Sequence, residues 1–243
     1  LGAPPLPATS FLLICAIVFF AFLTQTVTGF GAMVIAMALG ALLYPVDQLL
    51  VWFLPLVFAL STYLFVRHRQ YVDWPLFLKT ILPGMTLGLI VGQLVFFKLQ
   101  TDVLKQLLGA GILLLAVKEL LPTKVSKKAP PMLPWTLAAG VVQGIFATGG
   151  PLLVYALNAK GMSKANFRAT LSLVWLVMSI MLLASLITAG RFTSADSGNI
   201  AVLLGILVTA IVAGEWLHSR INAVLFTRII NILLLVAGLL LLN

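Results

Sequence analysis

Charge is what this sequence has least of. Only 9% of its 243 residues are Asp, Glu, Lys or Arg, against roughly 25% in a soluble domain. Acid is scarcest, with six carboxylates against 15 Lys and Arg and a net charge of +9. There is one cysteine, Cys15, and there are two histidines. A single thiol excludes an internal disulfide, and so few Cys and His make no ligand cluster of the kind zinc requires. Cys15 stands in an apolar run and reads as a small hydrophobe. Asp47, Asp73, Asp102, Glu119, Asp196 and Glu215 all map to loops or predicted helix ends. A carrier of metal cations needs a carboxylate at membrane depth, and an intramembrane enzyme needs a catalytic dyad or ligand cluster. Neither pattern is visible, so neither an enzyme nor a cofactor is expected.

Apolar residues are abundant: 62% of the chain, with a mean hydropathy of +1.16. A core hidden from water cannot absorb that much apolar surface, so the solvent is lipid. The runs are continuous rather than alternating, which predicts helices and not a barrel. The fold class is therefore an all-α polytopic membrane protein. The basic excess suits the edges of membrane helices. It does not call for nucleic acid as a partner; the lipid bilayer is one partner, and a homodimer is left open.

Eight apolar segments can be read, at roughly 10–44, 48–66, 74–97, 103–121, 133–160, 166–189, 198–218 and 222–242. Two are too long for one span and carry a polar, glycine-rich interruption: Thr24-Gln25-Thr26-Val27-Thr28-Gly29-Phe30-Gly31, and Gln143 to Pro151 (QGIFATGGP). The stretch 122–134, PTKVSKKAPPMLP, reads as an exposed basic linker. It divides the chain into repeats at 1–121 and 135–243, each one broken segment followed by three unbroken ones. Aligning Gly29-Phe30-Gly31-Ala32 with Thr148-Gly149-Gly150-Pro151 gives an offset of 119, and Gly84 with Gly205 one of 121.

Positive charge orients the repeats. If every segment crosses once, basic residues divide almost evenly between the two sides. If each broken segment dips in and returns, only Lys98, Lys105 and Arg191 lie on the poor side. The positive-inside tendency favours the second arrangement. It predicts two inverted repeats, each a re-entrant helical hairpin plus three transmembrane helices, with linker 122–134 in the cytoplasm.

The breaks carry the chemistry. Non-helical backbone at membrane depth survives only where it is buried or lines a cavity. Gly29, Gly31, Gly149 and Gly150 permit the turns, and Pro151 suits the first turn of a restarted helix. Helices restarting near Gly31 and Pro151 present free N–H groups and positive dipole ends, a setting for an anion. In inverted repeats the two ends approach the midplane from opposite faces. The hydroxyls of Thr26, Thr28 and Thr148 and the amides of Gln25 and Gln143 supply further donors. Phe30 and Tyr155 complete the candidate substrate-binding set; Asn158 either faces the pocket or caps a helix.

The remaining polar residues have plainer readings. Gly84, Gly88 and Gly92 form a small-residue packing face. Ser61, Thr62, Tyr63, Thr170 and Ser172 suit back-bonding in helices. Trp52 and Trp175 read as lipid-facing or packing aromatics, Arg67-His68-Arg69 as a membrane anchor, and Glu215 with His218 as a solvated pair.

The motifs Gly29-Phe30-Gly31 and Gly149-Gly150-Pro151, with Pro83-Gly84, Gly205 and Gly214, resemble those of the TauE/SafE family of sulfite and organosulfonate exporters. Ala32 departs from the pattern, standing where the second break has Pro151, which predicts unequal hairpins. The resemblance implies a secondary transporter of sulfur-containing anions such as sulfite, thiosulfate or organosulfonates across the bacterial inner membrane. A passive anion channel, or a carrier of another small organic anion, remains the alternative from the residues alone.

Overall fold

The computed structural model describes residues 8–120, 131–158, 160–217, 234–235 and 237–242. These form helices joined by short turns, with no strand among the described residues. Helices α1 (Ala8–Thr28) and α2 (Ala32–Gly40) are the two arms of the first broken segment. They are followed by α3 (Val46–His68), α4 (Trp74–Leu76), α5 (Leu82–Phe96) and α6 (Thr101–Leu120). The second broken segment forms α7 (Met132–Phe146) and α8 (Gly150–Asn158), followed by α9 (Lys164–Thr188) and α10 (Ser194–Leu217). Residues 237–241 are again helical. Helices α4 and α5 are one span, Trp74–Phe96, joined by a wide turn at Phe77–Ile81. Pro83 has no N–H to continue an α-helical ladder there.

Among the described residues, five helices are long and apolar enough to cross a membrane: Thr9–Thr28, Val46–Tyr71, Trp74–Phe96, Lys164–Thr188 and Ser194–Leu217. Their exposed Leu12, Phe20, Leu87, Leu94, Val208 and Val212 have lipid, not water, to meet. Of the predicted linker, residues 122–130 lie outside the described residues. Its last residues differ from expectation, because Met132, Leu133 and Pro134 already form the first turn of α7.

Both broken segments reverse direction. The Phe11 ring near the start of α1 and the Tyr44 ring beyond α2 both pack on Trp52, at 5.9 and 4.9 Å. In the second segment Trp135 meets Tyr155 at 4.7 Å, and a Cβ on Gly149 would stand 2.2 Å from the Ala139 carbonyl. Each short arm thus runs back along its long arm. The hairpins are unequal: α1 has 21 residues and α7 has 15. At 1.5 Å per residue α1 is about 31 Å long, enough to cross the hydrocarbon by itself. The first hairpin is therefore no shallow dip.

The helix pairing establishes the inverted repeat. The second helix of each half, α3 and α9, pack together. Asp73, just beyond α3, donates its N–H to Thr170 near the start of α9, and Asp47 at the start of α3 pairs with Arg191 beyond α9. The two are antiparallel. The fourth elements pair likewise, Gly109 against Leu241 and Leu113 against Gly238. Each hairpin's long arm packs on the third helix of the other half, α1 on α10 and α7 on α5. Both cross-pairs are parallel. Gly84, Gly88 and Gly92 of α5 meet Thr136, Gly140 and Gly144 of α7 in order. Phe11 early in α1 and Asp196 early in α10 both meet Trp52, and Thr26 late in α1 meets Gly214 late in α10. Equivalent elements running antiparallel are what a two-fold axis in the membrane plane produces.

Along the α5–α7 seam the two backbones nearly touch. A Cβ on Gly88 would lie 2.2 Å from the Leu137 carbonyl, and one on Gly144 2.4 Å from the Leu89 carbonyl. Small residues let two backbones close to this distance, replacing a hydrophobic drive that lipid does not supply. Gly88→Leu is expected to cost more than the roughly 1–3 kcal/mol usual for overpacking, because it meets backbone rather than a side chain. Gly111→Leu, at a position with open space around it, is expected to be tolerated. Size-exclusion profiles and melting temperatures of the two variants test this contrast.

Candidate functional site

The two breaks are built on the same hydrogen-bond plan. In the first, the last helical bond runs from Gly29 N–H to the Gln25 carbonyl at 2.7 Å; in the second, from Ala147 N–H to the Gln143 carbonyl at 2.8 Å. Gln25 and Gln143 are therefore structural equivalents. Each also turns its side-chain carbonyl onto the restarting helix. Gln25 Oε1 accepts from Ala32 N–H at 3.2 Å, and Gln143 Oε1 accepts from Gly149 N–H at 2.9 Å. A glutamine from the first arm thus caps the N-terminus of the second arm, meeting one of the donors that a helix start leaves unpaired. The sequence predicts these amides to be donors to a ligand. Their oxygens are instead acceptors for the backbone. Gln25 is 3% exposed, and its Nε2 is buried with no hydrogen-bond partner.

One residue further on, the Thr26 and Gly144 carbonyls lose their helical partners to the breaks. Arg168 on α9 donates from Nη2 to Thr26 O at 2.6 Å, and Gln93 on α5 donates from Nε2 to Gly144 O. Ser185 in turn donates to Gln93 Oε1 at 2.6 Å. The first turn is held by a charged side chain and the second by a neutral one.

The turns use different backbone solutions. Gly29 and Gly31 have φ of +89° and +101°, values that favour glycine. In the second break the left-handed residue is Ala147, at +56°. Gly149 is required there for close approach and not for a positive φ. Gly150 opens α8 beside Trp175, whose ring edge lies 3.6 Å from where a Cβ would stand. The Trp175 indole is buried and its Nε1 has no hydrogen-bond partner.

The threonines are largely turned inward. Thr26 donates to Phe22 O at 2.8 Å and packs against Gly214 of α10. Thr28 bonds the Thr24 and Phe30 carbonyls, and Thr148 is buried. Phe30 is half-buried against the core, and Pro151 sits in the first turn of α8. Tyr155 is 38% exposed and stacked on Trp135, away from the breaks. The side chain of Asn158 lies outside the described residues.

The breaks are not level with each other. The first turn lies beside Arg168, near the start of α9; the last turn of α7 is tied through Gln93 to Ser185, near its end. Those positions are about 25 Å apart along the α9 axis. Each hairpin therefore reaches past the middle of the bundle. The expected pair of turns facing each other across the midplane is replaced by turns at opposite depths, with Gly150 and α8 starting between them.

Beside the first turn is a cavity of about 310 Å³ lined by Val27, Thr28, Leu157, Met162, Lys164, Phe167 and Arg168. Of the twelve predicted site residues only Thr28 lines it. Lys164 and Arg168 were counted in the sequence only for sidedness. Their i, i+4 spacing, at the start of the helix after the second break, was the available signal. Glu215, read as a solvated partner of His218, instead lies between Arg168 and Arg67, at 3.7 and 3.5 Å; His218 is outside the described residues. Arg67, read as an anchor, also donates to the Tyr63 hydroxyl. Trp52 does not face lipid: it is 2% exposed and donates Nε1–H to Asp196 at 2.7 Å.

Among the described residues the arrangement offers donors in excess: helix N-termini, the partnerless buried N–H groups of Gln25, Trp175 and Arg168, and the cations Lys164 and Arg168 over a cavity. That is chemistry for an anion. Gln143→Met is expected to cost about 1–3 kcal/mol by stranding the Gly149 N–H. Gln25→Met is expected to cost less, since it also removes an unpaired buried donor. Paired thermal-melt measurements of the two variants test the difference.

The family model for the sulfite exporter TauE/SafE matches residues 14–241. The chain is 30% identical over 165 residues to the "Probable inner membrane transporter protein TsaS" of Comamonas testosteroni, covering 65% of this chain and 68% of that protein. No solved structure matches.

Proposed function

The chain belongs to the TauE/SafE sulfite exporter family, and from that premise we propose that it is a secondary transporter that exports small sulfur-containing anions. The substrates are sulfite, thiosulfate or organosulfonates, carried across a bacterial inner membrane with the basic stretch that precedes α7 in the cytoplasm. The observation that carries this reading is the surplus of buried donors at the restarted helices. Gln25 Nε2 lies in the glutamine that caps α2, and Trp175 Nε1 belongs to the ring against the first residue of α8; neither has an acceptor. A buried donor without a partner costs free energy that an oxyanion recovers on binding. A sulfonate or sulfite presents several acceptor oxygens on one centre, so one such anion can meet more than one donor. The inverted repeat supplies two related arrangements of one bundle around such a site, as alternating access requires.

The first test is thermal stability of the purified protein against sulfite, thiosulfate, sulfate, sulfoacetate, taurine, acetate and phosphate. At a hundredfold excess over its dissociation constant a ligand of the folded state adds about 2.7 kcal/mol. For a chain of this size that is a rise of roughly 5–10 °C. A rise with a sulfur oxyanion, weakened about tenfold or more in affinity by Trp175→Phe, is the expected outcome. No rise with any of the panel removes the reading. In vesicles, radiolabelled thiosulfate should move against its own gradient when an ion gradient is imposed; strictly downhill flux would identify a passive channel instead.

Sidedness has its own test. In a Cys15→Ser background, Ser197→Cys should react with an impermeant thiol reagent in intact cells. Gln70→Cys, exposed at the opposite end of the bundle, should react only after permeabilisation.

A further inference from the structure

The cluster beside the first turn has features that a static anchor does not need. Arg168 has only 16% of its side chain exposed. It reaches the Thr26 carbonyl at 2.6 Å, and its aliphatic stem lies against Gly29, with Cγ 3.1 Å from where a Cβ would stand. Its carboxylate partner is poorly placed. Glu215 Oε1 is 3.7 Å from Nη2, beyond hydrogen-bond range, and is buried with no hydrogen-bond partner. Arg168 Nε is buried without a partner as well. Half-made ion pairs of this kind gain Coulomb energy without the directed bonds that make buried pairs strong. The unmet guanidinium belongs to a residue that lines the 310 Å³ cavity, with Lys164 one helical turn away. Glu215 has somewhere to go, because Arg67, 53% exposed, already stands 3.5 Å from its other oxygen.

We propose that Glu215 is a tethered stand-in for the transported anion: it holds Arg168 against the turn of the first hairpin until an oxyanion in the adjoining cavity takes its place. This rests on the anion-transport reading above. The incoming oxyanion accepts from Arg168 and Lys164 in hydrogen-bonding geometry, and Glu215 swings to Arg67, so no charge is stranded. Arg168 then turns from the Thr26 carbonyl toward the cavity and releases Gly29-Phe30-Gly31. Arg168 is a binding residue in this scheme; Glu215 and Arg67 are positioning residues that set how strongly it is held.

The test uses the full-length purified protein with thiosulfate and sulfite as probes, measured by titration calorimetry. A second readout is the rate at which Phe30→Cys reacts with a thiol reagent in a Cys15→Ser background. Glu215→Gln should tighten thiosulfate binding by about fivefold or more, within the usual range for coupled sites. Arg67→Gln, which leaves Glu215 no alternative partner, should weaken it; this variant keeps the test decisive if Glu215→Gln fails to fold. Arg168→Gln should lose measurable binding. Thiosulfate should accelerate labelling at residue 30 in the otherwise native protein, and with Glu215→Gln labelling should be fast without it. Unchanged affinity in both the Glu215 and Arg67 variants overturns the stand-in while leaving the anion reading intact. So does tighter binding with no change in labelling, which would mark a simple loss of repulsion. Failure of the native protein to bind either probe overturns both.

Discussion

A helix interrupted inside a bilayer has backbone groups that no water will meet, and the rest of this structure depends on how they are met. Each break exposes N–H groups at the helix that restarts and carbonyls at the helix that stops. Gln25 and Gln143 cover the first kind from within the same hairpin. Arg168 and Gln93 cover the second kind from neighbouring helices. The second kind is what ties the hairpins to the bundle: the turns hold their shape only while α5 and α9 stand beside them.

The two halves answer the same problem with different chemistry. Gln93 and Glu215 occupy corresponding places on the third helices, one residue beyond Gly92 and Gly214, which both pack against a long hairpin arm. At the second hairpin the carboxamide of Gln93 does the bonding itself, with Ser185 behind it. At the first, Glu215 cannot donate, and a guanidinium from α9 takes that role. One end of the bundle is therefore fastened by neutral hydrogen bonds and the other by charge, so the two-fold symmetry of the fold is broken in its chemistry.

Much of this was legible in the sequence. TQTVTGFG and QGIFATGGP marked the breaks because glycine, threonine and glutamine in the middle of apolar runs have no reason to be there in an unbroken span. Basic-residue placement indicated the inversion that the antiparallel α3–α9 pair displays. Gly84, Gly88 and Gly92 announced a packing face, though not that its partner would be Thr136, Gly140 and Gly144. What was not legible was direction. A glutamine offers both a donor and an acceptor, and only the fold determines which end meets the backbone. The threonines satisfied their own helices, as they do when no better acceptor is in reach. Arg168 was hidden because a basic residue at a helix start ordinarily faces headgroups; only the depth of the first turn, set by the length of α1, brings backbone to it.

The exchange of partners between halves has a consequence for biosynthesis. Helix α1 leaves the ribosome well before its packing partner α10, which begins at Ser194. At ordinary elongation rates of about 5–20 residues per second, roughly 10–40 s pass before that partner exists. Until α9 is made the Thr26 carbonyl lacks Arg168, and until α10 is made it also lacks the cover of Gly214. The polar turn of the first hairpin must wait at the insertion machinery or in a thinned patch of bilayer. The first hairpin is therefore complete only once the second half has been made.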